Sequence, residues 1–137
     1  MKNLILSLWF LFCFMVSMPQ QAPKEPIVAE PVISLTNEQY VKGLMVVYSN
    51  QYKVPYEVMD TVIRCETSGT YDPKIQSGYY RNGKREESYG VVQINLPSWP
   101  TITYEQATTA EFAVEFLAKK LKEGKGHLWT CYRTHYE

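Results

Sequence analysis

The stretch that decides the fold is residues 54–69, VPYEVMDTVIRCETSG. Its apolar residues Val58, Val62 and Ile63 recur three and four positions apart, which predicts an amphipathic helix with one buried face. Glu66 continues the same face, and the glycine that ends the stretch is a natural helix terminator. The sequence therefore predicts a carboxyl group in the last helical turn, pointing inward.

An inward carboxyl group at a helix end is expected to hold its proton. Burial and the negative end of the helix dipole both disfavour the ionised form. A carboxyl group that is protonated near neutral pH is what general-acid cleavage of a glycosidic bond requires. The alternative is a structural role, in which Glu66 pairs with a neighbour such as Arg64.

Size and composition restrict the choice of function. The 137 residues are enough for one domain, and the 14 basic residues are matched by 14 acidic ones. This balance gives no electrostatic reason to expect nucleic-acid binding. The 11 tyrosines and three tryptophans either fill a small core or stack on sugar rings, and for any single aromatic residue the core is favoured.

The N-terminus has the pattern of an export signal. Lys2 precedes an almost wholly apolar run over residues 4–16, which is short for a membrane span. We expect a signal peptide over residues 1–22, with an uncleaved membrane anchor as the alternative. Residues 23–35 are rich in proline and predict an extended tether, so the domain is expected over residues 36–137. The protein is then periplasmic, in the cell envelope or extracellular.

The domain is predicted to be mainly α-helical. Thr36 and Gln39 form a capping-box pattern, which predicts a first helix over residues 37–51. The Asn82-Gly83 pair favours a short hairpin, whereas residues 89–95 fit a strand or a helix equally well. The remaining predicted elements are one helical turn at residues 104–107 and a long helix that Thr108 or Thr109 caps and Gly124 ends.

Two motifs carry a resemblance to a known family. Residues 65–69 read CETSG, and residues 88–95 read SYGVVQIN. In this order they resemble the lysozyme-like superfamily, most closely the soluble lytic transglycosylases of bacterial and phage cell-wall turnover. That family has a Glu-Ser-Gly-type helix end followed by a Gly-Leu-Met-Gln-Ile-type segment. This sequence departs from the pattern at Thr67-Ser68 and at Val91-Val92.

The resemblance implies a small lysozyme-like helical domain, of α+β descent, with a short irregular or hairpin segment beside its cleft. Glu66 matches the catalytic acid, Gln93 matches a residue that hydrogen-bonds the sugar, and Gly90 lets the chain pass close to it. The full set of residues expected to contact substrate is Ser88, Tyr89, Gly90, Gln93, Asn95 and Tyr132. The expected partner is a peptidoglycan glycan strand, and the expected state is a monomer that needs no cofactor.

The resemblance also implies a mechanism with one carboxyl group. Ser88 falls near the position where animal lysozymes place a second carboxylate, so no nucleophile or base is obvious. In lytic transglycosylases the single Glu acts as acid and then as base, closing a 1,6-anhydro ring at the bond between N-acetylmuramic acid and N-acetylglucosamine. The alternatives are a hydrolase in which Glu86 or Glu87 activates water, and a glycan-binding module of the same fold without turnover.

Cys65 and Cys131 remain if the signal peptide is removed. An even pair in an oxidising compartment predicts a disulfide, which would bring Trp129 and Tyr132 to the cleft. The competing role, Cys65 as a nucleophile with a histidine, has no supporting motif. The cysteines and histidines lack zinc-site spacing, so no metal is expected.

Overall fold

A computed structural model describes residues 34–137 of the chain. The expected signal peptide and all but the last two residues of the expected tether lie outside the described residues. The described part is mainly α-helical, as predicted, and it also contains two small antiparallel hairpins. In chain order its elements are α1 (Asn37–Tyr52), α2 (Tyr56–Glu66), β1 (Tyr80–Arg81), β2 (Lys84–Arg85), β3 (Ser88–Tyr89), β4 (Ile94–Asn95), α3 (Tyr104–Ala107), α4 (Ala110–Lys122) and α5 (Thr130–Tyr136).

The first helix begins where the capping box predicts. The Thr36 side chain accepts a hydrogen bond from the Gln39 backbone N–H at 3.2 Å, and the Gln39 side chain accepts one from the Thr36 N–H at 3.0 Å. Helix α1 packs along α4. Near its two ends, the hydroxyl of Tyr40 donates to Glu111 and that of Tyr52 donates to Glu115. These pairs fix the two longest helices against each other.

Helix α2 contacts α1 and α5, and its buried face is shifted relative to the one that the sequence pattern indicates. Met59 is fully buried together with Val62 and Ile63, whereas Val58 is only half-buried. Contact with two neighbouring helices explains the shift, because side chains that lie between the two contact areas are also shielded from water. Beyond the helix end, the Gly69 N–H donates to the Arg64 carbonyl at 2.7 Å, the capping interaction expected of this glycine.

The segment between α2 and α3 folds into two hairpins. In the first, Asn82 and Gly83 have positive φ angles of 50° and 74°, which matches the turn predicted for this pair. In the second, β3 pairs with β4, although residues 89–95 fitted a strand and a helix equally well. Positive φ angles at Gly90 and Gln93 bend the middle of that segment, so only its ends form strands.

The core lies where α1, α2, α4 and the β3–β4 hairpin meet. None of the helices in residues 34–137 is both long enough and apolar enough to span a bilayer. The large side chains that are fully buried are Val41, Met45, Met59, Val62, Ile63, Val91, Val92, Val114 and Leu117. Val91 and Val92 anchor the hairpin turn in this core, and the turn therefore has a fixed position beside the end of α2.

Candidate active site

Glu66 lines a small polar cavity at the end of α2. The cavity has a volume of about 150 Å³, and Glu66 is half-buried within it. Helix α2 supplies the carboxyl group, the β3–β4 hairpin and the residues that flank the β1–β2 hairpin supply one wall, and residues 128–130 supply another. The lining residues are Glu66, Ser77, Glu86, Ser88, Gln93, Asn95, Leu128, Trp129 and Thr130.

The surroundings of Glu66 favour its protonated form. Burial raises the pKa of this carboxyl group, and the negative charge of Glu86 raises it further. The backbone N–H of Cys131, which donates to Oε1 at 3.4 Å, and the positive charge of Arg133 both act in the opposite direction. Burial is the largest of these effects, so the pKa of Glu66 lies above its ordinary value. The sequence prediction of an inward acid agrees with this direction.

Gln93 presents an unused hydrogen-bond acceptor at the cavity. Its Nε2 donates to the carbonyl of Gly90 at 2.9 Å and to that of Ile75 at 3.3 Å. These two acceptors fix the orientation of the amide, because its oxygen could not pair with either carbonyl. The Oε1 atom is buried and has no partner among the described residues. Because this oxygen is buried, a ligand that donates an N–H or O–H would reach it only after a local rearrangement of the cavity wall.

Asn95 connects the groups on the hairpin side of the cavity. Its Nδ2 donates to Ser88 Oγ at 3.2 Å and to Glu86 Oε1 at 3.4 Å. Its Oδ1 accepts from the Ser98 backbone N–H at 3.1 Å. The amide is therefore held from both ends, and it positions a serine hydroxyl and a carboxylate at the same cavity.

Glu86 is the second carboxylate of the site. Its Oε2 accepts a hydrogen bond from Ser77 Oγ at 3.0 Å, and with Glu66 it lines the cavity. Glu87 is exposed and lines a neighbouring cavity instead. Of the two residues that the sequence offered as a second acid, the structure thus brings Glu86, and not Glu87, into the cavity of Glu66.

The cavity of Glu66 is the middle one of three that adjoin each other. A larger cavity of about 510 Å³ shares Glu86 and Asn95 with it. A smaller one of about 120 Å³ shares Gln93 and Asn95, and also Leu128 and Trp129. Asn95 lines all three. These shared residues place the three cavities side by side, and the cavity of Glu66 shares more residues with each of the other two than they share with one another.

Three of the described residues that the resemblance assigns to substrate lie outside the cavity of Glu66. The Tyr89 hydroxyl accepts from Gln76 Nε2 at 3.2 Å. Gly90 is buried, and a Cβ at its position would lie 1.9 Å from the Ala107 carbonyl oxygen. Its lack of a side chain thus serves packing against α3 rather than the approach of a sugar.

Tyr132 is the third of these residues, and it packs away from the cavity. Its ring covers Gly126, where a Cβ would come within 2.4 Å of it. It also contacts the ring of Tyr136, with the centroids 5.1 Å apart. The sequence placed Tyr132 at the cleft because of the neighbouring cysteine, but its direction on α5 is set by these two contacts.

The predicted disulfide between Cys65 and Cys131 is confirmed. It joins the end of α2 to α5, and the segment before α5 brings Trp129 to the cavity as expected. The indole Nε1 of Trp129 donates to the Val92 carbonyl at 2.6 Å, which fixes the ring. The sequence did not indicate Ser77, Leu128 or Thr130, since a serine in a polar loop and two residues beside a tryptophan carry no motif.

Comparison with protein-family models, with curated proteins and with solved structures found no match. Within residues 34–137, no group of three or more His, Cys, Asp or Glu side chains is arranged to hold a metal ion. The function of the site therefore has to be argued from its geometry and its electrostatics.

Proposed function

We propose that the described domain is a lysozyme-like lytic transglycosylase that cleaves the β-1,4 bond between N-acetylmuramic acid and N-acetylglucosamine in peptidoglycan. One observation carries the proposal: a half-buried carboxyl group with a raised pKa lines a cavity that adjoins two others. A general acid must hold its proton until the substrate binds, and it must reach the bond between two bound units. The raised pKa of Glu66 supports the first requirement, and the position of its cavity supports the second.

The proposed reaction needs one carboxyl group in two successive roles. Glu66 donates its proton to the glycosidic oxygen, and the bond between this oxygen and C1 of the muramic acid breaks. The departing sugar leaves with a free 4-hydroxyl group. Glu66, now a carboxylate, takes the proton from the 6-hydroxyl group of the muramic acid, and the oxygen of that group bonds to C1. The products are a 1,6-anhydro end and a reprotonated Glu66.

The polar residues of the cavity support recognition of an N-acetylated sugar. The buried Oε1 of Gln93 lacks a donor among the described residues, and the N–H of an acetamido group or a sugar hydroxyl group would supply one. The amide of Asn95 and the hydroxyl of Ser88 line the same cavity. Unpaired buried acceptors discriminate strongly against ligands that lack the matching donor.

A second candidate function is supported by Glu86. A hydrolase of this kind needs a second carboxylate at the same site, as nucleophile or as base for a water molecule. Glu86 lines the cavity of Glu66 and is held by Ser77 and Asn95. In this alternative Glu66 still protonates the leaving oxygen, whereas Glu86 takes a proton from the attacking water. The product then has a reducing end.

Mass spectrometry of peptidoglycan digested by the purified full chain separates these candidates. Anhydro ends support the transglycosylase, and reducing ends support the hydrolase. Glu66→Gln is expected to lower the rate of either reaction by at least about 100-fold, the contribution typical of a general acid. An active Glu66→Gln variant would exclude Glu66 from the mechanism. If the protein sediments with peptidoglycan but releases no product, it is a glycan-binding module.

Two variants of neighbouring residues make the test specific for Glu86. If the protein is a hydrolase, Glu86→Gln should abolish the reducing-end products. If it is a transglycosylase, the variant should still form the anhydro ring. Glu87→Gln serves as the matched control, because this neighbour is exposed and does not line the cavity of Glu66. A digest of chitin oligosaccharides in parallel tests whether the substrate is peptidoglycan or a chitin-like chain.

We also propose that the protein acts after export, and that residues 1–22 direct it there. The disulfide between Cys65 and Cys131 supports this proposal, because structural disulfides persist in oxidising compartments. Cell fractionation with an antibody to the domain tests it. Recovery from the cytoplasm with both thiols reduced would contradict the proposal.

A further inference from the structure

A second cavity lies beside the β1–β2 hairpin, next to the cavity of Glu66. It has a volume of about 510 Å³ and shares Glu86 and Asn95 with the Glu66 cavity. The one-carboxyl mechanism makes no use of it. Its lining residues are Tyr79, Arg81, Lys84, Arg85, Glu86, Glu87, Asn95 and Pro97. Three of these eight side chains are cationic, and all three come from the hairpin.

Arg81 and Lys84 lie close together in the β1–β2 hairpin. They are directly opposite each other in the register of the hairpin. Like charges at directly opposed positions destabilise an antiparallel pair. Neither side chain forms a salt bridge with any described residue. An anion placed between them would relieve this repulsion, so the arrangement favours a negatively charged ligand.

The hairpin presents these two charges in a fixed position. The positive φ angles of Asn82 and Gly83 fit the tight turn that matches the twist of the strands. At the base of the hairpin, Arg85 donates from Nε to the Ser77 carbonyl at 2.7 Å and from Nη2 to the Gln76 carbonyl at 3.3 Å. Arg85 therefore serves to attach the hairpin, and Arg81 and Lys84 remain for a ligand.

The two carboxylates that line this cavity, Glu86 and Glu87, differ in how far they offset the positive charge of Arg81 and Lys84. Glu86 is turned towards the Glu66 cavity, since its two oxygens accept hydrogen bonds from Ser77 and Asn95. Glu87 remains as an exposed negative group. Tyr79, which is 64% exposed, adds an aromatic surface. The cavity thus suits a ligand that carries carboxylates together with apolar or cationic parts.

We propose that this cavity binds an acidic peptide branch of the glycan, with Arg81 and Lys84 contacting its carboxylates. The proposal rests on the proposed function and deepens it, because it makes the substrate a strand that still carries its peptides near the bond to be cleaved. A peptide branch carries several carboxylates that can pair with the two cations, whereas a strand freed of its peptides keeps only the lactyl carboxylate of each muramic acid. The shared residues Glu86 and Asn95 place the branch next to the sugar units that contact Glu66.

The test compares two substrates made from one preparation of peptidoglycan. One consists of soluble strands with their peptides, and the other consists of the same strands after an amidase has removed the peptides. The purified full chain is expected to have the higher kcat/KM on strands with peptides. This preference should decrease as salt is raised, because salt screens exposed charges.

The double variant Arg81→Ala/Lys84→Ala is expected to lower the ratio of the two kcat/KM values by about fivefold, as for two exposed ion pairs. The change should lie mostly in KM, because contacts remote from the reacting bond act equally on bound substrate and transition state. Lys74→Ala/Lys122→Ala is the matched control. It removes the same charge from two exposed residues that do not line this cavity, and its ratio should equal that of the wild type.

Two results would overturn the proposal. One is a wild-type protein that cleaves both substrates equally well, and the other is a double variant that loses the same activity on both. If the wild type cleaves neither substrate, the proposed function fails, and sedimentation of the protein with each substrate then decides about the cavity. If the wild type binds strands with peptides more tightly and the double variant does not, the cavity is retained as the peptide-binding site. If the wild type binds both substrates equally, the cavity is excluded as that site.

Discussion

The backbone N–H of Cys131 donates a hydrogen bond to Oε1 of Glu66 over 3.4 Å, and the side chain of the same cysteine is bonded to Cys65, the residue before Glu66. The end of α2 is therefore joined to α5 by a covalent link at Cys65, and the carboxyl group of Glu66 is joined to α5 by a hydrogen bond. That hydrogen bond lowers the pKa of Glu66, while burial raises it more strongly. These two effects on the pKa of Glu66 are opposed, and burial is the larger of them.

The first prediction concerns how the free energy of unfolding depends on pH. Burial raises the pKa of Glu66 in the folded state above the ordinary value of 4.5. Below that value the group is protonated in both states, and its contribution to the free energy of unfolding is fully present. As the pH rises towards the raised pKa, the unfolded chain ionises first, and the wild type loses stability. The side chain in Glu66→Gln does not titrate, so the free energy of unfolding of this variant relative to that of the wild type should increase from pH 4 to pH 8.

Denaturant unfolding of both proteins across this range measures the difference. The exposed Glu87→Gln is the control, and its curve should run parallel to that of the wild type. We subtract the free energy of unfolding of the wild type from that of Glu66→Gln. A value that stays constant or falls with rising pH would show that Glu66 does not have a raised pKa.

The second prediction concerns the pH dependence of activity in Glu86→Gln. The negative charge of Glu86 raises the pKa of Glu66, so its removal should lower that pKa. A general acid loses activity once it is deprotonated. The alkaline limb of kcat/KM is therefore expected to move to lower pH for the activity that remains. Measurement of kcat/KM from pH 4 to pH 9 would reveal it, and a limb that stays in place would mean that the two carboxyl groups are not coupled.

Local signals in the sequence were enough to predict most of the helices. The capping box of Thr36 and Gln39 predicted the start of α1, and the Asn82-Gly83 pair predicted the turn of the first hairpin. Residues 89–95 could not be resolved in the same way. Their apolar side chains are buried because the segment turns inside the core, and burial on every side removes the periodicity that separates strand from helix.

The candidate site was predictable where a residue belonged to a motif or to a cysteine pair, and not elsewhere. Glu66, Ser88, Gln93 and Asn95 line one cavity. Tyr132 does not, because its direction depends on contacts with Gly126 and Tyr136 that only the folded chain establishes. Ser77 enters the site through the loop that holds Glu86, a long-range placement that no local pattern encodes.

The third prediction concerns the disulfide. Cys65 and Cys131 are 66 residues apart in the chain, and a cross-link that closes a loop of this length restricts the unfolded state. Cys65→Ser/Cys131→Ser is expected to lower the free energy of unfolding by about 4 kcal/mol on the loop-entropy model. Urea unfolding under non-reducing conditions measures this change.

A reducing agent provides the control for the disulfide variant. It should destabilise the wild type by a similar amount and leave the double variant unchanged, since the variant has no cross-link between these positions. A double variant as stable as the oxidised wild type would show that the bond does not form in the protein.

The fourth prediction concerns Gly90, which fixes the hairpin turn against α3. A Cβ at this position would lie 1.9 Å from the carbonyl oxygen of Ala107 and 3.0 Å from its carbonyl carbon. These are backbone atoms, so they cannot rotate away as a side chain would. The φ angle of 78° adds strain for any other residue. Gly90→Ala is therefore expected to cost about 3 kcal/mol of stability.

Gly43→Ala is the matched control and should have the opposite effect. Gly43 lies inside α1, and a Cβ there would meet nothing within 4 Å. Alanine is the better helix former, so this variant should gain about 0.5–1 kcal/mol. Thermal unfolding of the two variants measures both changes. A Gly90→Ala variant as stable as the wild type would show that the turn does not pack against Ala107. The position of Gln93, three residues further on, would then need another explanation.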